Sequence, residues 1–235
     1  MTAWLSCSWG GLARCAHRAR VSSWLLALAG ACVAVWPAVG AAREPGPAAA
    51  RQLIAWIKAS GDHQRLPFLV IDKTQAQAFA FDAQGRWRGS SPVLMGAALG
   101  DHSVPGIGER PMDSILPEER TTPAGRFQAE MGRNAQGEDV LWVDYDAALS
   151  LHRVRASKPA ERRLERLASP TPADNRISYG CINVPRRFYE RVVRTLVDPA
   201  QGRAIVYVLP EALPLAAVFP GLDARPGAQA AALAD

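Results

Sequence analysis

The chain has 235 residues, a formal net charge of +5, four cysteines and 49% hydrophobic residues. That length fits one generous domain, or one domain with appendages, and the apolar fraction excludes wholesale disorder. Nineteen glycines and 18 prolines favour a turn-rich fold over a helical bundle. As totals, the cysteines suggest two disulfides and the charge suggests affinity for a polyanion or a membrane. Where these residues sit removes both readings.

Residues 1–20 carry Arg14, Arg18 and Arg20 and no acidic residue, and Val21 to Ala42 carries no charge. Trp24 to Trp36 is apolar and is followed by Pro37 and the small residues Ala38 to Ala42. Basic, apolar and small segments in that order predict a secretory signal peptide over 1–42, cut after Gly40 or Ala42. The uncharged run is also long enough for an uncleaved N-terminal membrane anchor. A lipid-modified Cys32 is a third alternative, with Ala29 standing where a lipobox prefers Leu. All three readings export the rest of the chain, and the high Arg to Lys ratio fits a GC-rich bacterial genome. The expected location is the periplasm or cell envelope.

Export changes the arithmetic. Three basic residues leave with the signal, so 24 basic and 22 acidic residues remain, a net charge of +2 that offers no argument for nucleic acid. Cys7, Cys15 and Cys32 lie in the first forty residues, which leaves Cys181 alone in the exported part. An intrachain disulfide framework is excluded there. A lone thiol in an oxidising compartment is a liability unless it is buried or used.

Residues 43–65 read as a Pro/Gly/Ala linker followed by a helix over 48–59, with Leu53, Ile54, Trp56 and Ile57 on its apolar face and Gly61 as its stop. Strand patterns then dominate. Phe68–Asp72 is a buried-type run, Gln77–Asp82 alternates, and Gly85 turns the chain into Arg86–Arg88, a meander. Gly96 to Pro123 is a long loop rich in Gly and Pro, of a length that is usually functional or mobile. Strands are predicted at 126–131, 140–145, 149–154 and 203–209. Short helices are predicted at 159–168, rich in Arg, and at 186–196, with Phe188, Val192, Val193 and Leu196 inward. After Pro210 an Ala/Pro-rich tail is expected to drape loosely. The expected fold is mostly β with a few helices.

A thiol reacts as thiolate and needs a base, because a free Cys is only a few per cent ionised at neutral pH. The exported part contains His63, His102 and His152. His63 ends the first helix and reads as a surface residue. His102 lies in the glycine-rich loop. His152 lies at the end of a strand, a rigid place from which to aim a side chain. Cys181 follows Gly180 and precedes a helix, where backbone N–H groups can hold an oxyanion and a helix N-terminus can depress a thiol. The bland alternatives are a buried inert cysteine and a structural histidine. No Cys or His pair has metal-ligand spacing, and there is no Gly-x-Ser-x-Gly elbow.

Ser178-Tyr179-Gly180-Cys181-Ile182-Asn183 resembles the Ser-x-Gly-Cys-Ile-Arg signature of L,D-transpeptidase (YkuD-type) catalytic domains. Leu151-His152-Arg153 stands where that family has Ile-His-Gly. Thr122-Pro123-Ala124-Gly125-Arg126-Phe127 is similar to its Thr-Pro-x-Gly-x-Phe/Tyr stretch. Val70 to Lys73 followed by Phe79 to Asp82 fits its opening hairpin. The resemblance spans residues 66–209 and implies an L,D-transpeptidase-like β-sandwich domain that acts on peptidoglycan stem peptides. It implies Cys181 as nucleophile and His152 as general base and acid, with the backbone carbonyl of Arg153 orienting the imidazole. It implies an oxyanion hole from the N–H groups of Tyr179, Gly180 and Cys181, and substrate contacts from Ser178 and Asn183. No metal and no organic cofactor is implied, and no oligomeric assembly is assigned.

Three departures qualify the resemblance. Asn183 replaces an Arg and cannot clamp a carboxylate bidentately. Arg153 replaces a Gly and is a candidate source of the missing charge. The stretch 155–176 between His152 and Cys181 is longer than the family's common spacing. It reads either as a lid or wall over the cleft, carrying Arg162, Arg163 and Arg166, or as a solvated helix with Leu164 and Leu167 inward. The leading expectation is a transpeptidase. The alternatives are an L,D-carboxypeptidase or amide hydrolase that uses water, and an inactive envelope-binding module.

Overall fold

The structure is a computed structural model in which residues 44–223 are described. The expected signal or anchor at 1–42 lies outside the described residues. Among those described, no helix is long and apolar enough to cross a membrane.

The first helix, α1 (Ala48–Ser60), has the predicted apolar stripe, with Ala50, Leu53, Ile54 and Ile57 buried. Gly61 ends it in the left-handed conformation (φ 70°), returning its N–H to the Ile57 carbonyl. His63 then turns inward. It is 8% exposed, its ring lies 5.2 Å from that of Phe68, and the expectation of a surface residue is corrected. The apolar neighbour accounts for the difference, because packing against Phe68, with the rings tilted at 52°, covers most of the imidazole.

Eight strands make one mixed sheet. In chain order they are β1 (Phe68–Asp72), β2 (Gln77–Phe81), β3 (Trp87–Pro92), β5 (Gly125–Arg133), β6 (Asp139–Asp144), β7 (Leu149–Arg153), β9 (Ile182–Val184) and β10 (Arg203–Val208). The spatial order is β3-β2-β1-β10-β5-β6-β7-β9, with β1/β10 and β7/β9 parallel and the other pairs antiparallel. A separate two-stranded parallel pair joins β4 (Met95–Gly96) to β8 (Arg176–Ser178). The mostly β expectation with a few helices holds, and the short helix α2 (Arg163–Ala168) lies between β7 and β8. All five residues of β1 are buried, as expected for a central strand covered on both faces.

Alternation along the strands separates two cores. Leu69, Ile71, Leu141, Leu151, Ile182 and Val206 belong to one, which is closed by the helical segment that starts with α3 (Arg186–Phe188). That segment continues through a π-helical turn (Tyr189–Val193) into α4 (Arg194–Val197). It buries Tyr189 and Val197, which the sequence pattern did not single out, while Val192 and Leu196 are partly covered. The other core packs α1 against Phe68, Val70, Phe79, Phe81, Ile205 and Tyr207. The segment after Pro210 does not drape loosely at its start. Helix α5 (Leu215–Val218) leads into Phe219, which is 2% exposed beside Tyr207. One aromatic side chain finds enough apolar surface there to hold the segment down.

Candidate active site

The cysteine lies in a tight turn between two short strands, β8 and β9. Gly180 takes φ +132°, and a Cβ there would stand 2.8 Å from the Thr121 carbonyl oxygen, so a side chain is excluded twice. Three polar side chains hold the turn. The Ser178 hydroxyl donates to the Cys181 carbonyl at 2.7 Å and accepts the Gly180 N–H at 3.1 Å. The Thr122 hydroxyl donates to the Gly180 carbonyl at 2.6 Å and accepts the Gly96 N–H at 2.9 Å. Asn183 Nδ2 donates to the Cys181 carbonyl at 3.0 Å.

These bonds correct two sequence expectations. The Gly180 N–H, assigned to an oxyanion, is occupied by Ser178, which leaves the N–H groups of Tyr179 and Cys181. The Ser178 hydroxyl, assigned to substrate, gives its proton to the turn and is almost fully buried. Cys181 is also not at a helix N-terminus. Strand β9 follows it, and the next helix starts at Arg186 behind Pro185.

Strand pairing brings the histidine to the thiol. In the parallel β7/β9 register, Ile182 faces Leu151 and Asn183 faces His152. Cys181 Sγ lies 3.6 Å from the Ser150 hydroxyl and 3.6 Å from the Ala148 carbonyl. His152 Nδ1 lies 2.8 Å from the Arg153 carbonyl. A carbonyl only accepts, so Nδ1 carries the proton in that contact and Nε2 remains for the thiol. Burial pushes the Cys181 thiol up, but the hydrogen bond and charge of His152, with help from Ser150, bring it below its ordinary value. The helix-dipole explanation is replaced by the imidazole.

Both residues line a cleft of about 270 Å³. Met112 of the long 96–123 loop contributes to one wall, and Arg155, Lys158, Glu161 and Arg163 of the 155–176 stretch to another. Arg120 of the same loop stacks over the Tyr179 ring at 4.0 Å. His102 is exposed, outside this lining. Asn183 is fully buried, and its Oδ1 accepts from Arg163 Nη1 at 2.9 Å, so it faces a guanidinium instead of open solvent. Arg162 and Arg166 line a separate depression with Asp174, away from the cleft. Of the two leucines expected inward, Leu167 is buried and Leu164 is 58% exposed.

The Arg153 side chain does not supply charge to the cleft. Its Nε donates to Glu190 at 2.6 Å and its Nη1 to the Asp139 carbonyl at 3.0 Å, while the guanidinium lies 4.2 Å from the Tyr189 ring centroid. Burial opposes its charge, but the carboxylates of Glu190 and Asp139, the latter met by Nη2, hold its protonated form more firmly than in water. Strand alternation explains this: His152 and Arg153 are consecutive on β7 and point to opposite faces.

Sequence reasoning missed a buried charge cluster behind the turn. Lys73, 1% exposed, donates to the Gly100 carbonyl at 2.5 Å, Asp101 Oδ1 at 2.7 Å and the Thr122 carbonyl at 2.9 Å. Glu211 lies 3.6 Å from the same ammonium and pairs with Arg176. Asp101 also accepts the N–H groups of Glu211, Ala212 and Leu213. Burial pushes its carboxyl up, but Lys73 and these three donors bring it down to about 2. The cluster fixes the backbone of Thr122, whose hydroxyl holds Gly180. The available signal was the charged pair Asp72-Lys73 directly after the apolar run Phe68–Ile71. Among the described residues, no three His, Cys, Asp or Glu side chains group as metal ligands do.

No protein-family model matches the chain, and no curated protein matches it. Solved structures do. A point mutant of the helical cell shape determining protein Pgp2 from Campylobacter jejuni is similar at 12% identity, with TM-score 0.40, over 72% of this chain and 58% of that one. The catalytic domain of an L,D-transpeptidase from E. faecium is similar at 16% identity, with TM-score 0.34, over 60% of this chain and 95% of that one. Unmutated Pgp2 gives 15% identity and TM-score 0.35, over 63% and 49%. The match thus spans less than two thirds of the Pgp2 chains.

Proposed function

We propose that the protein is an exported bacterial envelope enzyme that transfers acyl groups through Cys181, an L,D-transpeptidase acting on peptidoglycan tetrapeptide stems. The observation that carries this reading is the pairing of Cys181 with His152 in one cleft, with the thiol held below its ordinary value by the imidazole. His152 Nε2 takes the thiol proton, and the thiolate attacks the carbonyl between an L-centre and the following D-residue. The N–H groups of Tyr179 and Cys181 are the donors available to the oxyanion. Collapse of the tetrahedral intermediate breaks the C–N bond, and His152 returns its proton to the leaving amine. The side-chain amine of a second stem then attacks the thioester, releasing the thiol and forming the cross-link.

The test is incubation of the purified protein with disaccharide-tetrapeptide and analysis of the products by mass. Cross-linked dimer is the expected product. Tripeptide alone would make the protein a hydrolase with water as acceptor, and no change would refute the reaction. A Cys181→Ala protein that kept full activity would overturn the nucleophile assignment.

A further inference from the structure

We infer that Arg163 reads a free carboxylate on the peptide bound at the Cys181 cleft, making it the specificity-determining cation of the site; this rests on the proposed reaction at Cys181. Three cations line the cleft, and they are not equivalent. The Arg155 side chain is 37% exposed and already gives a donor from each terminal nitrogen, Nη1 to Gln136 and Nη2 to Glu138, whereas among the described residues Arg163 keeps Nη2 free. The Lys158 side chain is 75% exposed and lies 3.8 Å from Glu161, so solvent screens it. The Arg163 side chain is only 15% exposed and is held from two directions, by Glu161 on Nε and by Asn183 Oδ1 on Nη1.

The path from this cation to the nucleophile is short. Asn183 is fully buried, and its amide joins Arg163 Nη1 on one side to the Cys181 carbonyl on the other. One side chain therefore sets the position of the guanidinium relative to the reactive turn. Asn183 is neutral, so it orients the charge without cancelling it. A guanidinium has five N–H donors. Nε and one proton of Nη1 are occupied, and among the described residues the remaining three donors meet no acceptor. A planar, permanently charged fork with donors left on both terminal nitrogens suits a carboxylate, which it can grip bidentately. Among the described residues, Glu161 is the one anion paired with this guanidinium, through Nε, and a ligand carboxylate would share the cation with it.

The substrate class is therefore a peptide donor that keeps a free carboxyl within reach of Arg163, in preference to its amidated form. The test uses the full chain carrying Cys181→Ala, so that binding is read without turnover. Calorimetry compares disaccharide-tetrapeptide with the same molecule amidated at each free carboxyl in turn. One amidation should weaken binding by about tenfold to a hundredfold, the range of a hydrogen-bonded charge pair. That position identifies the carboxyl. Adding Arg163→Gln should weaken the parent peptide by the same factor and abolish the discrimination. Arg163→Lys should keep part of it, having charge without the fork. Glu161→Gln should tighten binding of the parent, a gain that a merely structural role for Arg163 would not produce. Equal binding of parent and amides, discrimination that survives Arg163→Gln, or no binding of any peptide would overturn the inference. Turnover by the unsubstituted protein is scored separately. Turnover blind to every amidation overturns the inference and leaves the reaction standing, whereas Arg163-dependent binding without turnover does the reverse.

Discussion

Replacing Lys73 by methionine keeps the apolar stem and removes the ammonium that ties the loop at 100–101 to Thr122. Three hydrogen bonds disappear, and two buried carboxylates, Asp101 and Glu211, lose their shared cation. Removing one partner of a buried charge pair costs about 3–5 kcal/mol, because the remaining charge stays desolvated. A domain of this size loses about 2–4 °C of Tm per kcal/mol, so Lys73→Met should melt about 6–20 °C below the parent. The acid limb supplies a second reading. Asp101 sits at about 2 in the folded protein against an ordinary 3.8, so its contribution is present above about pH 4 and is lost as pH falls toward 2. That difference amounts to about 2 kcal/mol, and it should shrink in Lys73→Met. Urea unfolding at pH 7, 4 and 2 measures both effects. An unfolding free energy at pH 7 within about 1 kcal/mol of the parent would refute the reasoning, since that is the size of an ordinary substitution.

Alkylation of Cys181 by iodoacetamide should stay fast at a pH below that of an ordinary thiol. In His152→Gln the profile should move to higher pH, because burial remains and the imidazole that offsets it is gone; an unmoved profile would remove His152 as the partner. Gly180→Ala should cost about 1–3 kcal/mol from the strained φ, and more from the contact with the Thr121 carbonyl, and should abolish turnover. A variant that turned over normally would show that the turn is not held as described. Phe219→Ala should cost about 3–5 kcal/mol by emptying a filled site against Tyr207, as measured by thermal unfolding. A loss below about 1 kcal/mol would mean that the segment after Pro210 is only loosely docked.

Local patterns carried most of the fold. The run Phe68–Asp72, the alternation in Gln77–Phe81 and the stripe of α1 identify elements because burial on one or two faces leaves a periodic trace in sequence. The Cys181 and His152 motifs were legible for a different reason, since chemistry restricts which residue types can serve. Charged side chains with distant partners left no such trace. Lys73 meets Asp101 and Thr122 at sequence separations of 28 and 49, and no periodicity encodes that meeting. Arg153 offered a charge next to His152 in sequence, yet strand alternation turned it to Glu190 and Asp139.

The amino-acid sequence by itself determined a mostly β domain, with Cys181 as the lone thiol after the first forty residues and His152 as its expected partner, because these follow from periodicity, composition and residue chemistry. Tertiary structure decided which groups surround that thiol. Parallel pairing of β7 with β9 made His152, not a helix dipole, the cause of the lowered thiol. The fold also gave the Gly180 N–H to Ser178 and set Arg163 on Asn183, across 20 positions of chain. The physical reason is common to all three. Hydrogen bonds and ion pairs act over a few ångströms, and only the folded chain decides which distant residues come within that range.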